Sequence, residues 1–160
     1  MSEIGELLRQ SMRHWPTGIT VVTSISGAHR HGMTVNSFAS ISLEPAVVTI
    51  TLAHATRTFK LVAESGIAGI TILGQDQTEI SDRFAGRIPE DGDRFAGLET
   101  FTLASGVPFI SGGLAFLDCR VRAAHRLEFS TLFLLDVQVA QPEEDGSPLV
   151  YYNRGYHRLL

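Results

Sequence analysis

Residues 32–45 read G-M-T-V-N-S-F-A-S-I-S-L-E-P and alternate in the manner of a β-strand. Successive side chains of an extended chain point to opposite faces. One face would then carry mainly polar groups: Thr34, Asn36, Phe38, Ser40 and Ser42. The other face would carry Val35, Ser37, Ala39, Ile41 and Leu43 and turn toward a core. The stretch therefore predicts a strand with a polar face that packing alone does not require.

That polar face suggests a bound ligand. A buried polar group without a hydrogen-bond partner costs about 1–3 kcal/mol, so hydroxyls and an amide in a core would need partners. The same groups, together with one aromatic ring, suit a flat heterocycle that has polar edges and a phosphate. A flavin is one ligand with this chemistry.

Composition and charge narrow the class of protein. A chain of 160 residues is the size of one domain, and we expect residues 1–160 to form a single one. The chain has 13 Lys and Arg against 17 Asp and Glu, a net charge of -4, which argues against nucleic acid as a partner. The single cysteine, Cys119, excludes an internal disulfide and a cysteine-based metal cluster. We expect a buried, inert thiol and a cytoplasmic protein.

Hydropathy gives no sign of export or of a membrane span. Glu3, Glu6 and Arg9 interrupt the apolar residues at the N-terminus, unlike the continuous core of a signal peptide. No apolar run reaches the ~18 residues that a spanning helix needs. We expect no membrane partner.

Periodicity predicts the elements of the first half. Apolar residues at positions 4, 7, 8 and 12, at helical spacing, predict a short amphipathic helix at the start of the chain, with Ser2 as N-cap, ended by Trp15-Pro16. Residues 19–25 and a strand beginning at residue 33 should form a hairpin, with residues 26–32 between them. A third strand is expected over residues 46–53, after Glu44-Pro45.

Strands dominate the rest of the chain. Helices are predicted over residues 56–65, with Gly66 as a stop signal, and over residues 78–85; a strand over residues 67–73 separates them. A polar loop over residues 86–93 should be mobile. Further strands are expected over residues 114–125, 130–141, 149–152 and 156–159. Because strands and helices do not alternate as βαβ units do, the pattern favours a mainly β fold, an antiparallel barrel with peripheral helices.

Few residues point to chemistry by themselves. No dinucleotide-binding, phosphate-loop, zinc-protease or nucleophile-elbow motif is present. His29 and His31 suit either a metal or, with more support, a solvated hairpin tip. Arg57 at a predicted helix start suits an anion or a solvent-facing arginine beside a cap. Tyr156 and His157 would contact a ligand or pack a terminal hairpin. The tetrapeptide R-F-A-G, at residues 83–86 and 94–97, is too short to indicate a structural repeat.

Taken together, several segments resemble the flavin reductase family, the small reductase components of two-component flavin monooxygenases such as 4-hydroxyphenylacetate and phenol hydroxylases. They are G-I-T-V-V-T at 18–23, the opening stretch at 32–45, D-R-F-A-G at 82–86, A-F-L-D-C-R-V at 115–121 and P-L-V-Y-Y-N-R-G-Y-H at 148–157. They occur in the family's order from about residue 15 to the C-terminus. The resemblance implies a split antiparallel barrel, a homodimer, and reduction of FMN or FAD by NADH or NADPH.

The resemblance also implies which residues hold the flavin. The ring would lie along Thr34, Val35, Asn36, Ser37 and Phe38, with Ser40 nearby; Thr51 and Arg57 would approach the ribityl and phosphate groups; Phe84, Ala85 and Gly86 would form a loop that closes over it. Tyr156 and His157 would lie on the nicotinamide side. Many relatives have Gly-Asp-His-Thr where this chain has Glu128-Phe129-Ser130-Thr131, so Ser130 replaces a histidine associated with NADH.

We therefore expect an NAD(P)H:flavin oxidoreductase that supplies reduced flavin to a partner monooxygenase. Hydride transfer needs no acid or base in principle, because the two cofactors supply the electronics. No catalytic side chain is predicted, and no metal is expected. The alternative is a flavin-binding electron-transfer or carrier protein without NAD(P)H activity.

Overall fold

The computed structural model describes residues 1–87 and 92–159, and these form short helices and many strands. The helices are α1 (Glu3–Ser11), α2 (Arg57–Ser65) and α3 (Thr78–Phe84), with one 3-10 turn at Met12–His14 after α1. The strands are β1 (Thr17–Gly18), β2 (Thr20–Ser26), β3 (His29–Val35), β4 (Ala39–Leu43), β5 (Ala46–Ala53), β6 (Ile67–Ile72), β7 (Thr100–Thr102), β8 (Pro108–Ile110), β9 (Ala115–Arg126), β10 (Ser130–Pro142), β11 (Val150–Tyr152) and β12 (Gly155–His157).

Seven strands form one antiparallel sheet in the order β3-β2-β6-β9-β10-β5-β4. In a flat sheet the two edge strands would lie about 29 Å apart, at about 4.8 Å per strand. The edge strands β3 and β4 are joined by residues 36–38 only, a link that spans about 14 Å when extended. The sheet must therefore curl until its edges approach, which produces an open barrel. The predicted mainly β, split antiparallel barrel with peripheral helices is confirmed.

Two apolar clusters fill this barrel and one of its ends. Inward-facing residues of the long strands, among them Val22, Ile50 and Leu135, form the first cluster, and Val62 of α2 covers it. The second cluster joins β2 to α3 and contains Val21 and Phe84. The first cluster includes Val35 and packs against Phe38, so the core fixes the place where the sheet edges meet.

The opening stretch of the sequence is not one strand, as its alternation predicts, but two. β3 ends at Val35 and β4 begins at Ala39 on the opposite edge of the sheet. Val35 is buried as expected, whereas Ile41 and Leu43 are 56% and 84% exposed. The predicted core face is therefore wrong beyond Val35. A register shift between Ser40 and Ser42 reorients β4.

Other element boundaries also differ from the predictions. The β2–β3 hairpin is confirmed, but its turn is only residues 27–28, and Gly27 has a φ of 57°. His29 and His31 therefore lie in β3 and not in a hairpin tip. Strands β1, β7 and β8 have two or three residues, too few for a periodic signal, and were not predicted. The ends of α2, α3, β6, β9, β10, β11 and β12 differ from the predictions by one or two residues, and α1 passes into the 3-10 turn at Met12–His14 before the predicted stop at Trp15-Pro16.

The single thiol is buried as expected. Cys119 lies on β9 with no exposed surface, and burial raises its pKa to about 12. The thiol therefore stays protonated at neutral pH, which makes it a poor nucleophile.

Two further findings concern membranes and metals. Among residues 1–87 and 92–159, no helix is long and apolar enough to cross a membrane, and no three His, Cys, Asp or Glu side chains cluster as a metal site. Of the loop over residues 86–93 that was expected to be mobile, residues 88–91 lie outside the described part.

Candidate functional site

The three-residue link between the sheet edges holds unused hydrogen-bonding groups. Asn36 and Ser37 are exposed, whereas Phe38 is half-buried against the first apolar cluster. Within the described part of the chain, no backbone hydrogen bond engages the N–H of Ser37 or Phe38. Asn36 is exposed and makes no side-chain hydrogen bond to a described residue. An open amide with two neighbouring N–H donors suits the polar edge of a planar heterocycle.

Two of the residues predicted to line the flavin ring, Ser37 and Thr34, use their hydroxyls within the protein itself. The Ser37 hydroxyl accepts from the backbone N–H of Thr51 at 3.1 Å and donates to its carbonyl oxygen at 3.0 Å. Thr34 Oγ1 donates to the carbonyl oxygen of Ser81 in α3, at 2.6 Å. These residues anchor the link to β5 and β3 to α3, so part of the polar pattern in residues 32–45 is structural.

Three cavities follow one another along the sheet edge and share residues. The helix cavity, of about 420 Å³, lies at the start of α2 between His31, Thr34, Arg57, Ala85 and Arg94. The middle cavity, of about 230 Å³, contains Thr34, Asn36, Ala85 and Tyr156. The arginine cavity, of about 660 Å³, contains Asn36, Ser37 and Phe38 and extends to α1. Since Thr34 and Ala85 belong to the first two cavities and Asn36 to the last two, they form one groove along the sheet edge.

The lining of the helix cavity suits an anion, because it contains Arg57, Arg94 and the N-terminus of α2. Thr56 is the N-cap of α2: its hydroxyl oxygen accepts from the N–H of Phe59 at 3.2 Å. Arg57 is the first residue of the helix, at the positive end of the helix dipole. The cap and the anion interpretations of this helix start are therefore compatible. His31 also lines the cavity, and its Nδ1 is 2.9 Å from the Thr58 hydroxyl.

The two R-F-A-G segments, too short to indicate a structural repeat, contact each other beside the helix cavity. Arg83 Nη1 donates to the carbonyl oxygen of Ala96 at 3.0 Å. In return, Arg94 Nη1 donates to the carbonyl oxygen of Phe84 at 2.9 Å. The Phe84 and Phe95 rings pack edge to face, 5.2 Å apart. This reciprocal pairing holds the end of α3 and places Arg94 in the helix cavity. Arg94 is not among the residues predicted for the site.

Arg94 also joins this pair to the opening stretch. Its Nη1 donates to the carbonyl oxygen of Gly32 at 3.1 Å. A side chain at Gly32 would clash, because a Cβ there would lie 2.8 Å from Cε1 of Phe84. Phe84 is fully buried. It therefore forms a wall under the groove, while Ala85 and Gly86 follow at the surface.

A polar network borders the middle cavity. The Tyr156 hydroxyl donates to Asp82 Oδ1 at 2.6 Å and lies 2.9 Å from the Ser81 hydroxyl. Arg87 Nη1 donates to the same Asp82 oxygen at 2.9 Å. Burial, followed by the hydrogen bond to Asp82, raises the pKa of Tyr156 above its ordinary value. Tyr156 is therefore a neutral donor at physiological pH, and it ties the C-terminal hairpin to α3.

The remaining predicted residues do not line this groove. Val35 points into the core, and Ser40 is exposed on β4. Ser130 begins β10 opposite Ala53, close to the turn that leads into α2. His157 lines a smaller cavity of about 190 Å³ with Asp76 and Arg158, which adjoins the middle cavity at Tyr156. The structure thus brings together Thr34, Asn36, Ser37, Phe38, Arg57, Phe84, Ala85 and Tyr156, with Thr51 behind Ser37.

Known proteins are similar to this chain in both sequence and fold. An NADH-dependent flavin reductase of a Rhodococcus species is 34% identical over 95% of this chain and 85% of its own. The reductase component of 4-hydroxyphenylacetate 3-monooxygenase from Thermus thermophilus is 30% identical over 97% of each chain. The NADH:FAD oxidoreductase of Streptomyces globisporus, solved in complex with NAD and FAD fragments, superposes with a TM-score of 0.89 at 27% identity, over 98% of this chain and 93% of its own.

The match to a family covers almost the whole chain. Residues 12–160 match the flavin reductase like domain, a span that includes the link, α2, both R-F-A-G segments and the C-terminal hairpin. The resemblance predicted from five separate sequence segments is confirmed. This chain belongs to the flavin reductase family.

Proposed function

We propose that this protein reduces FMN or FAD with NADH or NADPH. The observation that carries the proposal is the continuous groove from the helix cavity to the link. One end has Arg57, Arg94 and a helix N-terminus, which suit a phosphate. The other end has the open Asn36 amide and the free N–H groups of the link, which suit the edge of a ring. A flavin has these two features at its two ends.

The proposal assigns a role to each part of the groove. The phosphate would lie at the start of α2, and the ribityl chain would pass Thr34 and Ala85. The ring would lie along Asn36, Ser37 and Phe38, leaving its outer face toward the C-terminal hairpin. Residues that do not line the groove, Val35, Ser40, Thr51 and Gly86, would then act by shaping it. Ser130 and His157, which lie outside the groove, would contact only the edge of a bound nicotinamide.

The reaction requires positioning more than acid–base chemistry. A nicotinamide bound beside a flavin that Asn36, Ser37 and Phe38 would hold would supply a hydride to its ring, and the two rings would supply the electronics. The protein has to stack them with the reacting atoms about 3–3.5 Å apart and keep water out. For this reason no catalytic base is assigned. The neutral Tyr156 donor and the buried Phe84 wall keep the groove in shape.

Stopped-flow mixing of flavin-loaded protein with NADH, and separately with NADPH, tests the proposal. Flavin absorbance should bleach within seconds with at least one donor. Free flavin mixed with the same donor at the same concentration is the control for the uncatalysed reaction. Bleaching no faster than in this control with either donor would reject the reductase.

The second candidate is a flavin carrier without NAD(P)H activity. The observation that favours it is the serine at position 130, where many relatives have a histidine associated with NADH. A serine donates a hydrogen bond but neither stacks as an imidazole does nor carries charge. The same experiment separates the two, since a carrier binds flavin tightly and shows no donor-dependent bleaching. Replacing Ser130 with histidine should then create or increase the reaction with NADH.

We further propose that a monooxygenase receives the reduced flavin, because the Thermus relative is the reductase component of such an enzyme. The prediction is that the protein supports hydroxylation by an added flavin-dependent monooxygenase only when NAD(P)H and flavin are both present.

The location of the protein in the cytoplasm also stays a prediction. Cell fractionation tests it.

We also propose that the protein is a homodimer, because it exposes two apolar faces. No residue of α1 is buried, and Ile4 is 73% exposed. On β4, Ile41 and Leu43 are exposed as well. Analytical ultracentrifugation should give the mass of two chains of 17.4 kDa each. Leu43→Glu should shift the species toward the monomer, whereas Thr102→Glu on β7 should not; a monomeric wild type would contradict the proposal.

A further inference from the structure

A turn at residues 93–98 carries Arg94 to the helix cavity. The Asp93 carbonyl oxygen accepts from the N–H of Ala96 at 3.1 Å. The Asp93 carboxylate braces the same turn, since its Oδ1 accepts from the N–H of Phe95 at 3.0 Å. This bond to the backbone two residues further on is one reason why aspartate is favoured in turns. Asp93 therefore fixes the backbone on both sides of Arg94.

The same carboxylate attaches this turn to β3. Arg30 Nη2 donates to Asp93 Oδ2 at 2.6 Å, and the Arg30 guanidinium carbon lies 4.7 Å from the centre of the Phe95 ring. The hydrogen bond from Arg30 is the main cause that holds the pKa of the Asp93 carboxyl below its ordinary value. The carboxylate is therefore charged at neutral pH. Its two oxygens have separate roles, because Oδ1 shapes the turn and Oδ2 joins it to the sheet edge.

The ion pair between Arg30 and Asp93 adds little to the stability of the fold. The two side chains are 40% and 47% exposed, and exposed ion pairs contribute little to the free energy of folding. The turn is anchored to the core without this pair, since Phe95 is buried and packs edge to face on Phe84. What the pair restricts is the exposed side of the turn, from which the Arg94 side chain extends to the helix cavity.

The direction of the Arg94 side chain affects how well the helix cavity holds an anion. Its Nη1 donates to the carbonyl oxygens of Gly32 and Phe84, and the side chain lines the helix cavity beside Arg57. A side chain that is already fixed loses less rotamer freedom when it binds a ligand. We propose that Asp93 is a positioning residue for the flavin phosphate, because it holds the Arg94 guanidinium at the helix cavity before the flavin binds. This inference rests on the proposed position of the phosphate at the start of α2.

Titrations of the protein with FMN and with riboflavin test this role without requiring catalysis. Arg94→Gln should weaken FMN binding about tenfold or more, since it removes a charged donor. Asp93→Ala removes both carboxylate contacts and should weaken FMN binding about fivefold, with riboflavin affinity within about twofold of the wild type. Asp93→Asn retains an acceptor for the N–H of Phe95 and should give a smaller loss. Arg122→Gln breaks the ion pair with Asp136, away from the groove, and is the matched control.

The double variant Asp93→Ala/Arg94→Gln shows whether one residue acts through the other. If it does, the double variant should bind FMN within about twofold of Arg94→Gln alone, a non-additive result. Additive losses, or equal losses of FMN and riboflavin binding in Asp93→Ala, would overturn the inference and leave the proposed function standing.

Two results with the wild type separate the inference from the proposed function. FMN binding no tighter than riboflavin binding would overturn both the inference and the proposed position of the phosphate. Flavin that neither NADH nor NADPH bleaches would reject the reductase, whereas the non-additive loss of FMN binding would still support the role of Asp93.

Discussion

Replacing Phe84 with alanine should lower the free energy of unfolding by about 3–5 kcal/mol, the usual range for a buried phenylalanine. The ring is fully buried in the second apolar cluster and packs edge to face on Phe95. Its other side lies against the backbone of Gly32, where not even a methyl group would fit. Because rigid sheet backbone lines this space, the cavity left by the ring has little freedom to collapse. Urea unfolding followed by linear extrapolation measures the change.

Two further variants sharpen this prediction. Phe84→Leu retains most of the apolar volume and should cost less than half as much as Phe84→Ala. Phe129→Ala removes the same ring from a site that is 76% exposed and should change stability by about 0.5 kcal/mol or less. A loss below about 1 kcal/mol for Phe84→Ala would show that the ring does not occupy the core. It would then favour the expectation from the resemblance that Phe84 belongs to a loop over the flavin.

Local patterns predict most of the elements because the information is contained in short segments. Strand β5 reads A-V-V-T-I-T-L-A, and its β-branched run indicates a strand wherever it occurs. The end of α2 is equally local, since Gly66 adopts the left-handed conformation, with a φ of 69°, that its position as a stop signal predicts. Helices and long strands of this kind need no knowledge of the partners they pack against.

The break at residues 36–38 has only a weak local signal. Ser37 and Phe38 depart from the alternation of polar and apolar residues, but the alternation keeps the same phase on both sides of them, so the pattern matches one long strand. The chain leaves the sheet there because β3 pairs with β2 while β4 pairs with β5, at opposite edges. Only these long-range pairings, which the sequence does not display, decide where the strand ends.

The same reason explains which residues of the candidate site were missed. Arg57 could be named in advance because a helix start is a local feature. Arg94 enters the helix cavity through a hydrogen bond to Phe84, ten residues earlier, and another to Gly32. The repeated R-F-A-G was the available signal, but its meaning depends on the two copies contacting each other.

Replacing Arg57 with alanine should weaken FMN binding about 10–150-fold, the equivalent of about 1.5–3 kcal/mol for a lost hydrogen bond between charged groups. Arg57 begins α2 and lines the helix cavity, so its guanidinium would add to the helix dipole in holding the phosphate. Riboflavin has the same ring and no phosphate, and its affinity should change less than about twofold. Quenching of flavin fluorescence on titration with protein measures both affinities.

The control for Arg57 is available on the same helix. Lys60 is also a cation of α2 and is absent from the lining of the helix cavity. Lys60→Ala should therefore leave both affinities within about twofold, while removing the same formal charge. Equal losses of FMN and riboflavin binding in Arg57→Ala would mean that the variant perturbs the whole groove and would reject the phosphate role. A loss confined to FMN that also shrinks as salt is added would identify an ionic contact, because screening weakens attraction between partly exposed charges.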